Sequence, residues 1–234
     1  MALPKLDSSR FETVIPSTGQ KVTYRPYLVK EEKILMMAME TSDQKQIVRA
    51  TKDIIKSCVF DDIDVNKLAV FDVEHMFLEL RSKSVGESIN LKVKCDSCEH
   101  ANDHTIDFSD INVEVPESNN VIMITDDVGL TMRYPSFDDV SAIESNTEET
   151  VETAFSIIQA CIENIFDEEG VYLAKDEGPK KVREFVESMS SSQFAKIQEF
   201  FENMPALKSV IEYKCSSCGV DNKTELRGLQ SFFT

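Results

Sequence analysis

The 234-residue chain carries 42 acidic against 25 basic side chains, a formal net charge of −17. That balance disfavours wrapping nucleic acid, which relies on Lys and Arg neutralising phosphates, and no run approaches the roughly 18 apolar residues of a membrane-spanning helix. With 41% hydrophobic residues, no Trp and only 7 Gly and 7 Pro, the composition is that of a globular, helix-rich protein.

Phe11 to Tyr27 reads as a hairpin, with Thr13-Val14-Ile15, a Pro16-Ser17-Thr18-Gly19 turn and Lys21-Val22-Thr23-Tyr24 before Pro26. A helix follows from about Leu28, rich in Ile34, Leu35, Met36, Met37 and Met39. Those methionines read first as core and second as an adaptable surface for gripping partners. A helix over about 44–60 places Ile47, Thr51, Ile54, Ile55 and Cys58 on one face. Another, about 72–83, has Asp72 as its N-cap and Val73, Met76, Phe77 and Leu80 as its buried stripe. A strand–turn–strand unit over about 89–108 then carries Lys94-Cys95-Asp96-Ser97-Cys98.

The second half retraces this order. Val121 to Ile124 and Leu130 to Tyr134 read as strands around an Asp126-Asp127-Val128-Gly129 turn, and Ser136-Phe137-Asp138-Asp139 after Pro135 reads as a helix start. A helix over about 147–166 has Val151, Ala154, Phe155, Ile158, Cys161, Ile162 and Ile165 on one apolar face. A loop, 167–178, leads to Pro179 at a helix N1 position and to Val182, Phe185, Val186 and Met189 at helical spacing. A helix over about 192–203 buries Phe194, Ile197 and Phe201, and a second paired-cysteine hairpin carries Lys214-Cys215-Ser216-Ser217-Cys218.

The landmarks match in order: hairpin, Pro26 or Pro135, an acidic helix start, a helix with Cys58 or Cys161 on its apolar face, more helix, then Lys-Cys-x-Ser-Cys. This predicts an internal duplication and an α+β fold, mainly helical, with two pseudo-repeated lobes related by a pseudo-twofold. The lobes are expected at 1–112 and 113–234, each with β-hairpins, and joined by a split four-cysteine zinc-ribbon-like site.

Four readings of the cysteine pairs compete. The preferred one is a single structural Zn2+ site made from Cys95, Cys98, Cys215 and Cys218, because each knuckle offers two thiolates and a closed zinc site takes four ligands. A local site using Cys95, Cys98 and His100 or His104 leaves the second knuckle without a histidine counterpart. Redox catalysis wants a C-x-x-C at a helix N-terminus, whereas these cysteines follow strands. Four unrelated thiols would leave the repeated Lys-Cys-x-Ser-Cys word unexplained. A reducing cytosol, expected because Met1 to Asp7 lacks a signal-like apolar stretch, favours metal over disulfide.

Cys58 and Cys161 read as small buried hydrophobes, and His75 as a structural residue. Asp61-Asp62 and Asp126-Asp127 read as solvated or capping pairs. No nucleophile elbow, P-loop, H-E-x-x-H or dinucleotide-binding glycine pattern occurs, so no enzyme is expected. The rival function is a zinc-ribbon nucleic-acid or transcription-related module, but Asp96, Glu99, Asp103 and Asp221 around the knuckles are the wrong charge for it.

Tyr24-Arg25-Pro26-Tyr27-Leu28-Val29-Lys30-Glu31-Glu32-Lys33 resembles the opening of the T4-type bacteriophage baseplate hub assembly proteins. So does Cys215-Ser216-Ser217-Cys218-Gly219 followed by Leu226-Arg227-Gly228-Leu229 and Phe232-Phe233. The resemblance implies a phage baseplate hub component or assembly factor whose partners are other hub and tail proteins. It implies a location in the host cytoplasm during assembly, with the virion tail as a second station, and no catalytic residues.

Overall fold

Two antiparallel strands, β1 (Phe11–Val14) and β2 (Lys21–Tyr24), open the fold, with Phe11 opposite Tyr24 and Val14 opposite Lys21. Gly19 takes φ of 69° in the turn, a conformation glycine adopts without steric cost. The computed structural model describes residues 7–41, 43–113, 120–136, 138–140 and 151–228. Phe137, residues 147–150 of an expected helix, and Leu229, Phe232 and Phe233 lie outside the described residues.

The chain is α+β, with helices and several small antiparallel sheets, and it divides into two compact units. One comprises Met1–Glu114 with Pro205–Thr234, and the other Val115–Met204. This differs from two consecutive lobes at 1–112 and 113–234, because the C-terminal hairpin belongs to the first unit. The reason is strand pairing: β10 (Leu207–Lys214) bonds β5 (Asn112–Val113), Leu207 opposite Val113, as well as its hairpin partner β11 (Asp221–Arg227).

In the first unit, β2 leads through Pro26 to α1 (Val29–Glu40), then α2 (Gln44–Cys58) and α3 (Val70–Ser84). Asp72 is not the N-cap of α3; the helix starts at Val70, and the Asp72 carboxylate reaches back to accept from the Ala69 N–H at 3.0 Å. It also accepts from the Ser17 N–H at 2.9 Å and the Ser17 hydroxyl at 2.6 Å, tying the hairpin turn to the helix. Ile15, Tyr24, Ile54, Ile55, Phe71, Met76 and Leu80 are fully buried. The hairpins β3 (Ser88–Lys94)–β4 (Ala101–Asp107) and β10–β11 contribute Leu91, Val93, Ile106 and Ile211 to a further core with Leu78, Phe108 and Leu207.

Met36, Met37 and Met39 are not core: they are 55%, 57% and 46% exposed. The inward face of α1 is instead set by Glu31, which is buried and bonds the Arg25 guanidinium at 3.0 Å and the Leu28 N–H at 2.9 Å. Ala38 is buried on the same helix, whereas Val29 is 80% exposed.

The second unit is built on a four-stranded antiparallel sheet: β6 (Val121–Met123), β7 (Gly129–Met132), β8 (Ile162–Phe166) and β9 (Val171–Leu173). The helix expected to reach 166 stops at Cys161, so α4 is Val151–Cys161, and Ile162 to Phe166 turns extended to pair with β7. The loop expected over 167–178 contains β9 and the short α5 (Ala174–Glu177). Helices α6 (Pro179–Glu187) and α7 (Ser191–Glu202) follow. Leu130, Met132, Cys161, Val182, Val186 and Ile197 form the core.

A set of local contacts occurs in both units. Arg25 N–H donates to the Cys58 carbonyl at 3.0 Å, and Arg133 N–H to the Cys161 carbonyl at 2.8 Å. Each arginine then clamps an acid six residues on, Glu31 or Asp139, which accepts from the backbone N–H of Leu28 or Ser136. After each cysteine the chain runs extended beside the second hairpin strand, as the Tyr24–Val59 bridge and as the β7–β8 pairing.

Burial alone would raise the Asp139 pKa, but bonds from Arg133 and Ser136 outweigh it and hold the carboxyl below its usual range. A depressed folded-state pKa contributes stability that is present above the ordinary Asp pKa of about 3.9 and is lost as pH falls through the folded value. Asp139→Asn is therefore expected to cost about 1–2 kcal/mol at pH 7, with the difference from the parent closing as the pH is lowered below about 4. Urea midpoints between pH 7 and 3 measure this, and a difference independent of pH would exclude the ion pair as its cause.

Candidate metal centre

Each cysteine pair sits in the tight turn of a hairpin whose strands end at paired residues, Lys94 with Ala101 and Lys214 with Asp221. The two turns share one hydrogen-bond pattern. The Cys95 N–H donates to the His100 carbonyl at 3.0 Å, and the Cys215 N–H to the Val220 carbonyl at 2.9 Å. The N–H groups of Glu99 and Gly219 return to the carbonyls of Cys95 and Cys215 at 2.9 and 3.0 Å. Glu99 and Gly219 both take positive φ, 57° and 74°; Gly219 does so freely, whereas Glu99 pays the side-chain clash that glycine avoids. The Tyr213 hydroxyl donates to the Lys94 carbonyl at 2.7 Å, linking one hairpin to the other knuckle.

The four thiols converge within the first unit, all sulfurs lying within 4.8 Å of one another. Cys95 Sγ is 3.7 Å from Cys218 Sγ, and Cys98 Sγ is 3.6 Å from Cys215 Sγ. A tetrahedron with metal–sulfur bonds of about 2.3 Å has sulfur–sulfur edges of about 3.8 Å, so these two edges fit a four-thiolate site, and the donors are of the soft type such sites use. Cys95 and Cys215 are buried, whereas Cys98 and Cys218 are exposed.

The knuckle backbone favours thiolate. The Ser97 N–H, 3.4 Å from Cys95 Sγ, leads in lowering the Cys95 pKa. The Cys218 N–H leads in lowering Cys215, to about 6. For Cys218 the Val220 N–H pulls down, but the neighbouring Cys98 thiol and desolvation prevail and push it up to about 12. Crowded thiols cannot all ionise without a cation between them, which is the electrostatic demand a divalent metal meets.

The candidates divide cleanly. Among the described residues the metal-type cluster comprises the four cysteines, and neither His100 nor His104 joins it. The His104 ring lies against Tyr213, centroids 6.4 Å apart. Cys58 and Cys161 are fully buried, and desolvation pushes their thiols up to about 11 and about 12, as suits inert core residues. His75 meets the Thr13 hydroxyl at 3.2 Å, and burial lowers its pKa. Asp61 accepts from the Thr23 N–H, and Asp126 and Asp127 are exposed.

Two residues escaped the reading of the sequence. Asn102 and Asn222, both buried, bond across between the knuckles: the Asn102 side chain accepts from Ser216 N–H at 2.8 Å, and that of Asn222 from Asp96 N–H at 3.1 Å. The available signal was a longer repeated word, Lys-Cys-x-Ser-Cys-x-x-x-Asn, present in both hairpins.

The family model described as T4 bacteriophage base plate protein matches residues 8–234. No curated protein and no solved structure matches. Because the match takes in both hairpins, both knuckles and nearly all of the sequence between the ends, the chain belongs to the T4 bacteriophage base plate protein family.

Proposed function

We propose that the chain works without catalysis, as a component or assembly factor of the baseplate hub, through contacts with other tail proteins. In this reading Cys95, Cys98, Cys215 and Cys218 hold a structural zinc ion, and the chain is built from a duplicated hairpin-and-helix plan. The protein acts in the host cytoplasm during assembly and can travel on into the virion tail. The family match over residues 8–234 is the observation that carries this reading. Four thiolates would complete a tetrahedral shell and leave no position for water or substrate, so the metal serves the fold.

The exposed methionines of α1 support contact-based action, since unbranched thioether side chains adapt to irregular partner surfaces. Capture of the tagged chain from infected cells, with mass spectrometry of partners and of purified particles, tests the assignment. Hub proteins are expected among the partners, and presence in particles separates component from assembly factor. The double variant Met36→Asp, Met37→Asp is expected to keep the parent's circular dichroism while hub proteins fall about 30-fold in the captured fraction, as for loss of an interface hot spot. Full recovery of hub proteins with that variant would remove α1 from the contact surface.

A further inference from the structure

We infer that Asn102 and Asn222 are crossed positioning residues of the four-thiol centre, and that Asn102 also supplies its outer-sphere hydrogen bond; this rests on the metal reading above. Both residues are buried, 7% exposed, so their amides must find partners inside the protein. Asn102 Oδ1 accepts from the Ser216 N–H at 2.8 Å and the Ser216 hydroxyl at 2.9 Å. Its Nδ2 donates to the His100 carbonyl at 3.0 Å and to Cys215 Sγ at 3.8 Å. Asn222 Oδ1 accepts from the Asp96 N–H at 3.1 Å, and its Nδ2 donates to the Val220 carbonyl at 2.9 Å.

The backbone partners fix which way each amide points. An N–H can only donate and a carbonyl can only accept, so flipping either amide would set donor against donor and acceptor against acceptor. Each asparagine therefore ties a carbonyl of its own knuckle to the residue that follows the first cysteine of the other. The latch uses no sulfur, so it can align the two knuckles before a metal arrives. Such pre-organisation is what groups around the ligands of a metal centre supply.

The pair is symmetric in the latch and asymmetric at the thiols. Asn102 Nδ2 reaches the Cys215 sulfur, where a hydrogen bond withdraws electron density from a thiolate. Among the described residues, the Asn222 amide makes the latch without reaching a thiol. Truncating the two asparagines should thus have different spectroscopic consequences.

The test uses the full chain and its Asn102→Ala, Asn102→Asp and Asn222→Ala variants, loaded with Co2+ or Zn2+ in competition with a chelator. Asn102→Ala is expected to weaken both ions about 10-fold or more, and to move the thiolate-to-cobalt charge-transfer band. Asn222→Ala should weaken binding while leaving the band in place. In the metal-free proteins, exchange of the Ser216 amide should accelerate in Asn102→Ala, and that of the Asp96 amide in Asn222→Ala. Asn102→Asp keeps the acceptor for Ser216 and loses the donor to Cys215, so it should shift the band with Ser216 still protected. It also carries the test if the alanine variant does not fold. A parent that binds metal, with Asn102→Ala matching its affinity, band and Ser216 protection, would overturn this inference alone. A parent that takes up neither ion would overturn the metal reading and the outer-sphere role with it, while amide exchange still decides the latch.

Discussion

Replacing Cys215 by Ser is expected to weaken zinc binding about 100-fold and to lower the melting temperature of the first unit toward that of the chelator-treated parent. Structural zinc in small modules contributes on the order of 10 kcal/mol or more to folding. Shared among four thiolates, the loss of one corresponds to about 3 kcal/mol, or about 100-fold in affinity. Cys215 is the most informative thiol to remove: it is buried, held by Asn102 and backbone N–H groups, and its pKa is lowered to about 6. A serine there keeps the size but offers a hydroxyl that does not ionise at neutral pH. Metal analysis and thermal melts with and without chelator check the outcome. A variant that retained one zinc per chain at the parent's melting temperature would exclude the four-thiolate centre.

Ile197→Ala should destabilise the second unit by about 2–5 kcal/mol, the range for cavities opened in cores that relax only partly. Ile197 is fully buried on α7 within the cluster that includes Leu130, Met132, Ile158 and Val186. All four thiols belong to the first unit, so the variant is expected to keep its zinc while its urea midpoint falls. A cost under about 1 kcal/mol, or zinc loss matching that of Cys215→Ser, would contradict this account of the core.

Much of the centre was legible because its chemistry is local. A Lys-Cys-x-Ser-Cys turn between two strands specifies a knuckle by itself, and both knuckles formed where the words lie. What failed depended on partners distant in the chain. Ile162 and Ile165 suit the apolar face of a helix and equally a strand, and the choice is made by β7, with Leu130 opposite Ile165. Val171 to Leu173 is exposed and becomes a strand through its pairing with β8. The methionines of α1 read as core in sequence because hydrophobicity does not say which face a neighbour covers; in the fold Glu31, bonded to Arg25, takes the inward face and the methionines lie exposed. The asparagines do not stand out in sequence, because an Asn beside a turn is ordinary and its reach across to another hairpin is not written locally.

The pairing of Val113 with Leu207 has a consequence for how this chain can change. The polypeptide leaves the first unit and returns to it across one rung of a ladder, so to that unit everything between is topologically a very large hairpin loop. Any replacement segment whose ends meet at the same rung would leave that pairing in place. Successive phages could therefore exchange or resize the intervening module while inheriting the four-cysteine frame unchanged.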